Sequence, residues 1–158
     1  MIIFTPNTLI KSDEINANFA EIGVWSSYTP TTTNITLGNG TLTSRYCIIG
    51  KTLFYQGELS RGSTTSFSGQ ISFTMPTAIN TTNITSEGVI GIGTAIDFGS
   101  AIYTLSAVYS SSTVMVLIAE GTSGTWNTIS SANRVSATVP FTWGSGDIIT
   151  WNIVVEVA

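Results

Sequence analysis

Between Asp147 and Val157 the residues Ile149, Trp151, Ile153, Val155 and Val157 alternate with Ile148, Thr150, Asn152, Val154 and Glu156. A period of two is strand geometry, because successive side chains leave opposite faces of a pleated chain. A long strand cannot exist alone: its backbone N–H and C=O groups need partners on both sides. The rest of the chain must supply a sheet for it.

The same texture recurs upstream. Thr41–Ile49 and Thr52–Ser60 read as two strands joined at Gly50-Lys51, with Leu53, Tyr55 and Leu59 on one face of the second and Phe54, Gln56 and Glu58 on the other. Gln70–Met75 places Ile71, Phe73 and Met75 on one face and stops at Pro76. Val89–Phe98, Ala101–Tyr109 and Thr113–Ala119 read as further strands, with a tight turn at Ser110-Ser111-Ser112. Gly38-Asn39-Gly40 reads as a hairpin turn, since both residue types tolerate positive φ. Val135–Phe141 reads as a strand interrupted at Pro140, and Glu120–Asn133 as a long polar loop. Strands at roughly 8–12-residue spacing predict an all-β head, a β-sandwich or jelly roll, over residues 25–158. Val114–Ala119 is apolar on both faces, and Ile148 and Val154 are apolar opposite the core side. Such a sheet needs a second cover, which a neighbouring subunit can supply.

Residues 1–24 read differently. Met1–Ser12 is an extended arm with Pro6 fixing one φ angle and Ser12 placed as an N-cap. Asp13–Ile22 reads as a short α-helix, with Asp13 and Glu14 in the first turn and Gly23 suited to its end. Ile15, Phe19 and Ile22 fall on one stripe. A helix this short is marginal alone, so the stripe is expected to bundle with the same stripe on other copies. Asn18 either sits at the symmetry axis and sets register or faces solvent.

Charge narrows the partners. Only 9% of residues are charged, and the formal net charge is −4. Lys11, Arg45, Lys51, Arg61 and Arg134 are scattered, whereas phosphate-backbone binding needs clustered cations. Nucleic acid and anionic membrane surfaces are not expected partners. No secretory signal is read at Met1-Ile2-Ile3-Phe4, and the longest apolar run, Val114–Ala119, is far short of the ~18 residues that span a bilayer. The triplets at Asn34, Asn80 and Asn83 are what a Ser/Thr-rich chain produces by chance. Cys47 is the single cysteine and reads as a buried thiol.

Catalytic and cofactor chemistry finds little footing. There is no histidine, so the commonest general base and metal ligand is missing, and one cysteine cannot build a multi-thiolate zinc site. Gly91-Ile92-Gly93 lies in a strand with no helix after it, which is not a dinucleotide-binding context. Serine has no histidine partner for triad chemistry. No cofactor, metal or enzymatic activity is expected. The surviving enzymatic alternative is glycan cleavage by two carboxylates, drawn from Glu58, Glu87, Asp97, Glu120 and Asp147.

A binding surface fits better. Trp126 and Asn127, with Asn133 and Arg134 close in sequence, combine an aromatic platform with hydroxyl-binding groups. The alternative for Trp126 is that it plugs the end of the sandwich. Trp143 and Trp151 read as core or interface residues, and Trp25 and Tyr28 as packing where the helix meets the head.

The chain resembles bacteriophage tail-fibre and minor tail proteins. The resemblance rests on Glu14-Ile15-Asn16-Ala17-Asn18-Phe19, which is similar to a short N-x-N-F helix of such proteins, and on motifs across the head. These are Trp25–Pro30, Leu37–Thr41, Arg45-Tyr46, Ile49-Gly50-Lys51, Ile71–Pro76 and Trp143–Asp147. The resemblance implies a homotrimeric receptor-binding knob on a virion tail or surface fibre, made in the host cytoplasm. Its N-terminal arm would meet other virion proteins and its head a host-surface saccharide or protein. The alternatives are a capsid, collar or tail decoration protein that recognises no host, or a tail-associated glycan hydrolase.

Overall fold

A computed structural model describes residues 22–120 and 131–158. Among them are nine strands: β1 (Ser26–Ser27), β2 (Thr32–Thr36), β3 (Thr41–Ile49), β4 (Thr52–Ser60), β5 (Ser66–Thr74), β6 (Val89–Asp97), β7 (Ala101–Ser111), β8 (Val114–Ala119) and β9 (Ile148–Glu156). A 3₁₀ turn covers Ser131–Asn133. The fold is all-β. The N-terminal helix expected over Asp13–Ile22 lies outside the described residues, apart from Ile22 itself.

All nine strands form one antiparallel sheet in the order β1-β3-β4-β9-β6-β7-β8-β5-β2. Its two edge strands are consecutive in the chain, separated only by Tyr28–Thr31. That connection spans at most about 18 Å, so the sheet must curl until its edges nearly meet. The connection bonds the strands next to the edges on both sides: Tyr28 N donates to Ser44 O of β3 at 3.0 Å, and Thr74 N of β5 donates to Thr31 O at 2.9 Å. The Tyr28 hydroxyl reaches Thr74 Oγ1 at 2.7 Å. Two facing layers therefore arise from one continuous sheet closed by a strand that changes partners.

The interior takes the residues that alternation assigns to it. Leu53, Tyr55 and Leu59 of β4, Ile71 and Phe73 of β5, and Ile149, Trp151 and Ile153 of β9 are buried together. The curl brings Phe73 and Trp151, four strands apart in the sheet, to a ring separation of 4.7 Å. Cys47 is buried and free.

Three expectations need correction. Gly38-Asn39-Gly40 makes a tight turn, with Gly40 N donating to Leu37 O at 2.9 Å, but the flanking strands do not form a hairpin. β2 pairs with β5, while β3 pairs with β1 and β4. The turn instead packs on the 62–65 loop, where Asn39 Oδ1 accepts from Thr64 N at 2.9 Å.

Val135–Phe141 is not a strand; it holds only isolated bridges. Val135 wedges between β5 and β8 where they separate, donating to Leu117 O at 2.8 Å and accepting from Ile71 N at 3.0 Å. Finally, β8 is buried on both faces, as its sequence demands, but without a second subunit. Val108, Val116 and Ile118 form an outer cluster already covered within the single chain. Val154 does remain exposed.

Candidate functional site

Antiparallel partners present their side chains to the same face. On the outer face, register aligns Arg45, Gln56 and Asn152 in one row across β3, β4 and β9, and Thr43, Glu58 and Thr150 in the next. These six residues, with Ser27 at the rim, line an open groove of about 550 Å³. Arg45 is held from two sides. Its Nε and Nη2 donate to Gln56 Oε1 at 3.3 and 3.2 Å, and its guanidinium lies 4.7 Å from the Trp25 ring centre. Trp25 is delivered there because β1 pairs with β3 next to it, Ser26 opposite Tyr46 and Ser27 opposite Arg45.

Gly57 lies between the two rows and also lines the groove, and the reason for glycine is packing beneath it. A Cβ there would come within 2.1 Å of Trp151 Cζ2. Trp151 is fully buried against Tyr55 and Phe73. Burial pushes the Tyr55 hydroxyl up to about 12. The groove therefore rests on a buried aromatic layer.

The chemistry of this surface is specific. With its Oε1 held by Arg45, Gln56 offers its amide N–H groups; Asn152 offers both donor and acceptor; Glu58 only accepts; the threonines do either. One arginine and one glutamate leave the groove without net charge. The Trp25 indole, 39% accessible, stands beside the groove against Arg45. Such a surface matches a ligand with many hydroxyls and apolar C–H faces.

The residues singled out from sequence lie elsewhere or outside the described part. Trp126 and Asn127, like Ile15, Asn18 and Phe19, are outside the described residues. Asn133 is in the 3₁₀ turn and engaged there. Arg134 bridges to Ile118 at the far side of β8 and forms an ion pair with Glu87 that straps the outer face of β7 and β8. Neither residue reaches the groove on β3, β4 and β9. Ile22 is 56% exposed, beside Val24 and near the exposed Ile48 and Ile49.

Trp143 and Trp151 are both core; Trp143 Nε1 donates to Ser136 O at 2.8 Å. Among the carboxylates, Glu87 is paired, Glu120 accepts from Ser106 at 3.1 Å, and buried Asp147 accepts from Phe98 N at 3.0 Å. Glu58 and Glu120 stand four strand spacings apart, roughly 19 Å, well beyond the roughly 5–9.5 Å of a glycosidase pair.

Sequence reasoning missed the groove. Alternation did place Gln56 and Glu58 on one outward face, and Thr150 and Asn152 on another. The register that makes them neighbours joins strands nearly a hundred residues apart, and no local pattern encodes it. Among the described residues no helix is long and apolar enough to cross a membrane, and no cluster of three or more metal-ligating side chains occurs. No family model, no curated protein and no solved structure matches this chain.

Proposed function

We propose that this protein is a saccharide-binding head, the attachment knob of a bacteriophage tail or surface fibre. One observation carries the binding half of this reading: a neutral groove in which Arg45, Gln56, Glu58, Thr150 and Asn152 converge beside the exposed indole of Trp25. Planar amide and guanidinium groups bond vicinal hydroxyls in pairs, and an aromatic wall takes the C–H face of a sugar ring. The virion half rests on the sequence motifs around Asn16-Ala17-Asn18-Phe19 and in the head.

The head is one copy of a homotrimer in this reading, joined through Ile15, Asn18, Phe19 and Ile22. What supports this is the apolar collar of Ile22, Val24 and Ile49, which is exposed, with Gly23 set beside Ile49. An apolar collar at that point suits a junction between copies. Other virion proteins meet the preceding arm.

The test combines adsorption and binding. Purified protein competes with particles for host cells and retains a defined saccharide on an array, and Arg45→Ala and Asn152→Ala lose both. Light scattering then reads three copies. Protein that neither blocks adsorption nor holds any saccharide belongs to a decoration role instead.

A further inference from the structure

The polar rows do not stop at the groove. Register carries the Thr43–Glu58–Thr150 row onward to Thr94 on β6 and Thr104 on β7. Thr94 and Thr150 already join hydroxyl to hydroxyl at 2.7 Å. Along β6 and β7 this lane is flanked by exposed aliphatic side chains, with the buried Ser106 beside Thr104 bonded to Glu120. Ile92 flanks it on one side and Ile102 on the other, 63% and 70% exposed. Beyond it Glu120 N donates to Thr104 O at 3.2 Å, so a second carboxylate closes the far end.

A hydroxyl lane between apolar rails has the amphipathic cross-section of a sugar chain: hydroxyls at the ring edges, C–H groups on the faces. Strand spacing of about 4.8 Å is close to the length of one pyranose unit in an extended chain. Five strands from β3 to β7 cover roughly 19 Å, the span of about four such units. An isolated monosaccharide would use only the groove. An anionic polymer would gain nothing from a lane whose charged groups are carboxylates.

We infer that the ligand is a neutral, linear oligosaccharide laid across the strands, its end held at Arg45 and Asn152 and its next units along Thr150, Thr94 and Thr104. This rests on the groove reading and extends it to polymer length and direction.

The test uses the full chain on an array of linear neutral oligosaccharides from two to eight residues per series. The expected result is affinity rising about tenfold from two to four residues, which is about 1.4 kcal/mol, and level beyond. The Thr94→Val, Thr104→Val double variant keeps strand-favouring side chains. It should lose about fivefold on tetrasaccharides and no more than about twofold on disaccharides, which feel Thr94 only through its bond to Thr150. Binding that depends on Arg45 but is equal at all lengths overturns the lane and leaves the groove standing. Absence of binding to every series overturns both.

Discussion

Gly57 and Trp151 face each other across the β4–β9 pairing, and the indole occupies the space that any side chain at position 57 would need. A Cβ would also lie 2.4 Å from Trp151 Cε2. Neither partner can retreat. Gly57 is backbone in the middle of the sheet, and Trp151 is wedged against Phe73 and Tyr55. Gly57→Ala is therefore expected to lower stability by about 1–3 kcal/mol, read by urea denaturation. Trp151→Phe in the same chain should recover part of that loss, because the two changes share one contact. Simple additivity would show that the clash is not what fixes glycine there.

Tyr55 predicts behaviour in alkali. Its hydroxyl is raised from 10.0 to about 12, chiefly by burial. The folded protein thus holds this proton over a range where the unfolded chain releases it. The sign follows from linkage: the stability contribution is complete below pH 10, declines between pH 10 and 12, and is gone above. Tyr55→Phe should flatten that decline while changing stability at pH 7 by no more than about 1 kcal/mol. An ultraviolet titration showing all five tyrosines ionising together near pH 10 in folded protein contradicts the burial argument.

How much of this was legible beforehand divides along a physical line. Patterns at i, i+2 lie within one strand, so the inward set Leu53, Tyr55 and Leu59, and the long alternation ending at Val157, could be read directly. The bounds of β3 and β4 were readable for the same reason, with glycine at position 50 taking positive φ (+61°) between them. Neighbour relations were not. The turn at Gly38–Gly40 has the local chemistry of a hairpin, yet its strands part because Asn39 bonds Thr64 and β2 finds β5. Arg45 and Trp25 stack only because β1 returns to β3, twenty residues further along the chain. Arg134 lies close to Trp126 in sequence and has hydroxyl-binding chemistry, while the fold commits it to Glu87.

Val135 tests the wedge between β5 and β8. Its side chain is fully buried and its backbone bonds both strands. Val135→Ala keeps the backbone bonds and removes two methyl groups, at an expected cost of about 1–2 kcal/mol. Val135→Pro also removes the N–H that Leu117 accepts, and should cost about 3 kcal/mol or more. Equal effects from both would mean that the Val135 N–H bond to Leu117 contributes nothing to holding the sheet closed there.

The Arg134–Glu87 strap is partly solvent-exposed, and its loss is expected to be mild. Glu87→Gln should reduce stability by less than about 1 kcal/mol, with the difference shrinking in high salt. Disaccharide binding by Arg134→Ala should stay within twofold of the parent, because the strap lies on β7 and β8, away from the groove. A tenfold loss would move the binding site to that end of the head.

The groove itself is tested most directly by calorimetric titration of the array-selected saccharide into parent, Arg45→Ala and Asn152→Ala proteins, each first shown to melt within a few degrees of the parent. The account predicts measurable binding by the parent and at least a tenfold weaker interaction for each variant, about 1.4 kcal/mol or more. Variants that fold normally and bind the saccharide as tightly as the parent would contradict it.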